Sequence, residues 1–346
     1  MTPTPAMPPV PPSRRTVLRA AGAAVASIGT GSALAQRPVV IQFSHVVAQD
    51  TAKGRAALQF KQLAEARSGG RLRVEVHPDS SLYKDREELE ALRLGAVQML
   101  APSLSKLSAL GVPDFEVFDL PFLFRDHGAF RAATNGEPGA GLLRRLEPLG
   151  LRGLAYWDNG FKVFTANRPL RSPADFPGLR VRVQASRTLV EQMRMLGAEV
   201  SVSPLANVHE ALRSGRLDGQ ENVPSNIDTQ RLHEAQSHLT ITRHGYLAYA
   251  VIVNEAFWSR LAAELRELLQ AALRDATVFA NRIAEQVNAQ ALARIEASGR
   301  VQVHAPGAGE LAQWQRAMLP LHTTAGAWIK PALVDAMRRA AAAAPA

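Results

Sequence analysis

Apolar and polar residues alternate in short runs along most of the chain. Val39 to Ser44 reads as a buried strand, and Leu72, Val74 and Val76 alternate with polar residues in a second. Between them, Ala56, Phe60 and Leu63 share one face of a helix predicted over Ala52 to Arg67, which Gly69 and Gly70 stop. Asp85, with Glu88 three residues on, resembles a capping box opening a helix through Leu94, and Ala96 to Ala101 is again strand-like. This βαβαβ order predicts an α/β lobe with a mostly parallel sheet.

A second set of elements follows. Aromatic residues concentrate between Val112 and Phe124, two helices are predicted near 128–134 and 141–149, and "LRGLAYW" reads as a strand. In "GLRVRVQAS" Leu179, Val181 and Val183 alternate with Arg180, Arg182 and Gln184, which places both arginines on the face away from the core. A helix Arg187–Leu196, a strand Glu199–Val202, a helix Asn207–Ser214, the segment "LDGQENVPSN" and a long strand Tyr246–Asn254 complete a second α/β lobe. From Ser259 to Ser298 there is neither Gly nor Pro, and apolar residues recur at spacings of three and four. Such a helix is on the order of 50 Å long and outspans one lobe. The expected organisation is 36–159 with 248–287 as lobe I, 160–247 with 288–330 as lobe II, and 331–346 as a C-terminal tail.

The N-terminus adds a destination. Ser13-Arg14-Arg15-Thr16-Val17-Leu18 precedes an apolar run of small residues and Ala33-Leu34-Ala35. Residues 1–35 therefore read as a cleaved, twin-arginine-like signal peptide. Val17 stands where that pattern usually has phenylalanine. The formal charge is +9, of which Arg14, Arg15 and Arg19 carry three, so the exported chain is near +6. Its basic residues are scattered without a run of five, which argues against nucleic acid and for a mild field attracting small anions. Cysteine is absent, so neither disulfides nor thiolate chemistry enter.

Catalytic signatures are missing. His233 and His238 in "HEAQSH" are five apart and point about 140° away from one another on a helix, so they do not form a metal pair. There is no nucleophile elbow, P-loop or dinucleotide fingerprint. No cofactor and no enzymatic activity are expected. An exported chain of two α/β lobes suggests a binding protein that closes around a solute.

The blocks "FSHVVAQDTAKG", "LYKDREELEALRLGAVQMLAPSLSK", "FDLPFLF", "LAYWDNGFK", "GLRVRVQAS" and "LDGQENVPSNIDTQ" resemble, in order and spacing, the DctP-type solute-binding proteins of TRAP transporters, and most of all the C4-dicarboxylate-binding branch. The resemblance runs from about residue 38 to 320. It implies a periplasmic-binding-protein-like fold with hinge strands and a long helix over both lobes. It also implies capture of an organic acid in the periplasm and delivery to a permease of one small and one large integral membrane subunit. The ligand would be a C4-dicarboxylate such as succinate, malate or fumarate, or another organic acid in the same role.

Periodicity does not separate Arg180 from Arg182, but the resemblance assigns the carboxylate to Arg182, whose planar fork of donors suits two oxygens. It likewise assigns Asn222 to the same carboxylate; Asn226 is expected to support the same wall, and Glu221 to orient Arg182 or close a hinge contact. Lys162 and Lys84 are the candidates for a second cationic end. His45 and Ser103 follow strands of the first lobe, where open α/β sheets bind ligands. His45 is equally readable as a structural histidine. Trp157 is expected to form an apolar cleft wall beside Asn159.

Overall fold

A computed structural model describes residues 37–344, so the predicted signal peptide lies outside the described residues. The strands are β1 (Val39–Ser44), β2 (Leu72–His77), β3 (Met99–Leu100), β4 (Leu151–Phe161), β5 (Val163–Ala166), β6 (Arg180–Val183), β7 (Glu199–Val202), β8 (Gly219–Asn222), β9 (His238–Thr240), β10 (Tyr246–Asn254) and β11 (Gln302–His304). They form two sheets, ordered β2-β1-β3-β10-β4 and β11-β9-β5-β8-β6-β7, one to each lobe.

Neither sheet is wholly parallel. β1, β2 and β3 run parallel as the βαβαβ pattern requires, but β10 pairs antiparallel with both β3 and β4. β3 is shorter than expected because Ala96 and Val97 turn their N–H groups back to the Ala91 carbonyl. In the second sheet β6 is parallel to β7 and β8, whereas β5 is antiparallel to β8 and β9.

The lobes are joined where strands cross. β4 passes into β5 with only Lys162 between them. The chain returns from β9 to β10 beside it, and the Lys162 N–H donates to the Gly245 carbonyl at 2.8 Å. A side chain at Gly245 would press on the Lys162 stem, with a Cβ only 3.2 Å from its Cδ.

One helix crosses both lobes without a break, Ala263–Ala297. Its first half packs Leu269, Ala272, Ala276 and Ala280 into a core with Phe43, Phe60 and Trp157. Its last turns pack Ile295 into a core of the second lobe with Val163, Leu212 and Leu239. The helix does not fill the whole stretch without Gly or Pro that begins at Ser259. A separate short helix, Glu255–Arg260, is capped by the Asn254 side chain, and burial of Trp258 and Leu261 turns the chain before the long helix begins.

The capping box is displaced as well. Lys84, not Asp85, stands at the N-cap of helix Asp85–Arg93, and Glu87 accepts the Lys84 N–H at 3.1 Å. Asp85 and Glu88 are thereby released to face inward, and both are buried. The C-terminal segment expected as a tail forms helix Pro331–Ala342. Val334, Met337 and Ala341, spaced by three and four, pack with Phe118 and Phe130 of the first lobe. Leu321, Ala325 and Ile329 join the same core, so the chain leaves the second lobe earlier than residue 330.

Asn288 ties the long helix to both sides of the crossing. Its Nδ2 donates to the Asn159 carbonyl at 2.8 Å, and its Oδ1 accepts the Ser225 N–H at 3.0 Å. Gly160 makes this approach possible: its φ is +154°, and a Cβ there would lie 3.0 Å from Asn288 Nδ2. Asn288→Ala leaves a buried carbonyl and N–H unpaired, and is expected to cost about 1–3 kcal/mol of stability in urea denaturation. An unchanged midpoint would show that these bonds do not hold the crossing.

Candidate ligand-binding site

β6 places Arg180 and Arg182 on one face, and its neighbours separate them. Arg180 is exposed and forks onto Asp218 with bonds of 2.8 and 2.7 Å, a surface pair. Arg182 is 2 % exposed. Its Nε and Nη2 donate to the Ser203 carbonyl at 2.9 and 2.7 Å, which fixes the plane of the guanidinium. Nη1 has no protein partner among the described residues, so the Nη1/Nη2 edge is available as a fork for two carboxylate oxygens. Burial lowers its pKa to about 10, against the opposing pull of Glu221, so it stays charged at neutral pH.

Arg182 lines a small pocket between the lobes, about 10 Å³ in volume. Asn222 and Asn226 stand beside it, and Lys53, Ser103 and Tyr249 face it from the first lobe. The Asn222 Oδ1 accepts from its neighbour Val223 N–H at 3.0 Å and from Asn226 Nδ2 at 2.9 Å. The Asn222 amide nitrogen is thus oriented as a donor. Asn159 does not line the pocket but donates to the Tyr249 hydroxyl at 2.6 Å and so fixes that wall from behind. The Ser103 hydroxyl is buried and accepts from Gln184 Nε2 at 2.8 Å, a bond from one lobe to the other.

Besides Asn159, four expected residues lie outside the pocket lining. Lys84 is exposed at its helix cap and is not among the residues that line the pocket. Lys162 is 1 % exposed but is consumed by Glu221, which it meets at 2.8 Å. Glu221 also accepts from His244 Nε2 at 3.2 Å. Burial pushes the Glu221 carboxyl up, yet Lys162 and His244 overcome it and hold it at about 2. Glu221 therefore anchors the strand crossing and makes no hydrogen bond to Arg182; the Ser203 carbonyl orients Arg182 instead. Trp157 is core: it packs on Phe43 and donates from Nε1 to Thr277 Oγ1 at 2.9 Å. His45 is fully buried behind the lining residues Val46 and Val47. Desolvation, with Lys53 nearby, lowers its ring to about 3.

The second cationic end consists of Lys53 and Lys106. Lys53, in the first turn of helix Ala52–Arg67, donates to the Ala101 carbonyl at 3.0 Å and lies 4.0 Å from the centre of the Tyr249 ring. Burial lowers it to about 8, opposed by Glu88, whose own carboxyl is raised to about 8 by burial. Lys106 pairs with Asp85, and burial, then Lys53 and Arg182, lower it well below its usual range. Three cations thus converge from two lobes on one pocket. Among the described residues no group of three or more His, Asp or Glu side chains is arranged to hold a metal ion.

The family model "Bacterial extracellular solute-binding protein, family 7", DctP, matches residues 43–327. The chain belongs to the DctP family. A C4-dicarboxylate-binding periplasmic protein DctP from Rhodobacter capsulatus is 47% identical over 330 residues, covering 95% of this chain and 99% of the relative. A TRAP periplasmic solute-binding protein from Shewanella oneidensis, solved with bound succinate, superposes with a TM-score of 0.86 at 40% identity, over 88% of this chain and 99% of that one. One from Pseudomonas aeruginosa PAO1, solved with bound L-malate, gives 0.81 at 41% identity, over 83% and 100%. The overall fold is shared with these TRAP periplasmic solute-binding proteins.

Lys53 and Lys106 lay inside blocks that carried the resemblance but were not singled out. The local trace of Lys53 in the sequence is its place among the small residues Ala52, Gly54, Ala56 and Ala57, all of which are buried in the structure. In this DctP-family site the roles of Lys162 and of the pocket cations are separable. Lys162→Met strands a buried carboxylate, so it is expected to lower stability by about 3 kcal/mol or more in urea unfolding. Binding lost at unchanged stability would place Lys162 on the ligand instead.

Proposed function

We propose that this protein is the periplasmic receptor of a TRAP transporter, capturing a C4-dicarboxylate and delivering it to the membrane permease. The observation that carries this reading is the convergence of Arg182 from one lobe with Lys53 and Lys106 from the other. Similarity to a C4-dicarboxylate-binding relative and to neighbours holding succinate and L-malate supports it. One carboxylate takes the free edge of Arg182 and the Asn222 amide; the other takes Lys53 and Lys106. The role is binding and delivery, without turnover, and the partners are the small and large integral subunits.

Closure follows from charge. Three buried cations repel one another, and a dianion between them relieves that repulsion. Both lobes must be in place for both carboxylates to be held, so the ligand binds the closed form more tightly and shifts the population toward it. Exclusion of water then strengthens each charge-assisted bond. Closed contacts are already supplied by Gln184 to Ser103 and by the Leu205 N–H to Asp85 at 2.7 Å.

Titration calorimetry of the ligand-stripped mature protein with succinate, malate and fumarate tests the reading. Saturable 1:1 binding is expected, and Arg182→Lys is expected to weaken it by about 100-fold, or about 2.7 kcal/mol. The affinity is expected to be highest between about pH 6, above which both ligand carboxyls are ionised, and about pH 8, and to fall above that by up to about tenfold per pH unit. The sign follows from Lys53 and Glu88: loss of a proton from either makes the site less positive, and the dianion favours the protonated site. Binding of other organic acids but no C4-dicarboxylate would sink the ligand assignment. Binding of no carboxylate at all would sink the receptor reading.

A further inference from the structure

The ligand pocket is not the largest cavity between the lobes. An outer chamber of about 570 Å³ adjoins it, with Arg86 and Arg187 in its lining. Three side chains line both spaces and so form the partition: Lys106, Arg182 and Gln184. Lys106 is held by Asp85, and Arg182 by two bonds to the Ser203 carbonyl. Gln184 is different. It is neutral, half-buried and held across the cleft by a single bond, from Nε2 to Ser103 Oγ.

We infer that Gln184, latched on Ser103, sets the maximum length of the ligand; this inference rests on the dicarboxylate reading above. With the first carboxylate on Arg182 and Asn222, a C4 diacid spans to Lys53 and Lys106. The ligand pocket is small, about 10 Å³ against about 570 Å³ for the chamber, and Gln184 lines both, so a diacid with two further methylenes would have to displace the Gln184 amide. Rejection is steric and also polar, because displacing Gln184 unpairs a buried hydroxyl and an amide. Removing the amide joins the two spaces. The chain of a longer diacid then runs past position 184, and its distal carboxylate reaches the chamber lined by Arg86 and Arg187. Arg187 stays on the chamber rim because its guanidinium stacks 4.2 Å from the Trp328 ring centre.

The test is calorimetric titration of full-length mature protein, stripped of ligand, with succinate and with adipate, for wild type, Gln184→Ala and Ser103→Ala. Wild type is expected to prefer succinate by at least about 100-fold, as for a pocket one or two methylenes too short. Gln184→Ala is expected to shift the adipate-to-succinate ratio toward adipate by at least tenfold, and Ser103→Ala to shift it the same way by less. Ser103→Ala keeps the question open to measurement even where Gln184→Ala folds poorly. If wild type binds succinate and neither variant changes the ratio, the length role of Gln184 is overturned and the receptor reading stands. If wild type binds neither diacid, both fall together.

Discussion

The structure is organised around a shortage of negative charge in a dry place. Lys53, Lys106 and Arg182 are all buried at one pocket. The acids near them do not neutralise them fully: Asp85 serves Lys106, Glu88 is driven toward its neutral form, and Glu221 is committed to Lys162 and His244. Buried charge without a partner is expensive. A ligand carrying two negative groups at two ends supplies what the chain lacks, and it does so only when both lobes contribute.

The rest of the fold keeps those charges in position. β4 and β5 are nearly continuous through Lys162, so the Lys162–Glu221–His244 cluster sits at the crossing and stiffens the base from which Arg182 projects. The unbroken helix Ala263–Ala297 buries small residues against the first lobe and Ile295 in the second. Asn288 on that helix links the crossing strand to the start of helix Pro224–Thr229, next to Asn222 and Asn226. The pocket therefore rests on a frame in which few elements can shift independently.

Much of this frame is legible in the sequence, because strand and helix periodicities are local. The alternation in "LRVRV" marked a strand, and the absence of Gly and Pro marked the long helix. What the pattern could not rank was charge. Arg180 and Arg182 share a face, and only Asp218, brought alongside at the start of the neighbouring strand region, and Ser203, beyond β7, assign one to the surface and the other to the pocket. Lys162 looked like a free cation until the register of β5 against β8 placed Glu221 within reach. Lys84 stands at the N-cap of its helix and meets solvent, whereas Asp85, one residue on, is buried. Lys53 and Lys106 are hard to rank from sequence because a lysine in a helical turn usually meets water; their burial is a tertiary fact with a faint local trace.

A crystal structure of the mature protein with succinate tests this account most directly. The account predicts one carboxylate about 3 Å from Nη1 and Nη2 of Arg182 and from the Asn222 amide, with the other at the same distance from the Lys53 and Lys106 ammonium groups. A diacid held at one end only, or bound with Lys53 and Lys106 turned away from it, would contradict the claim that buried cations of both lobes define the ligand.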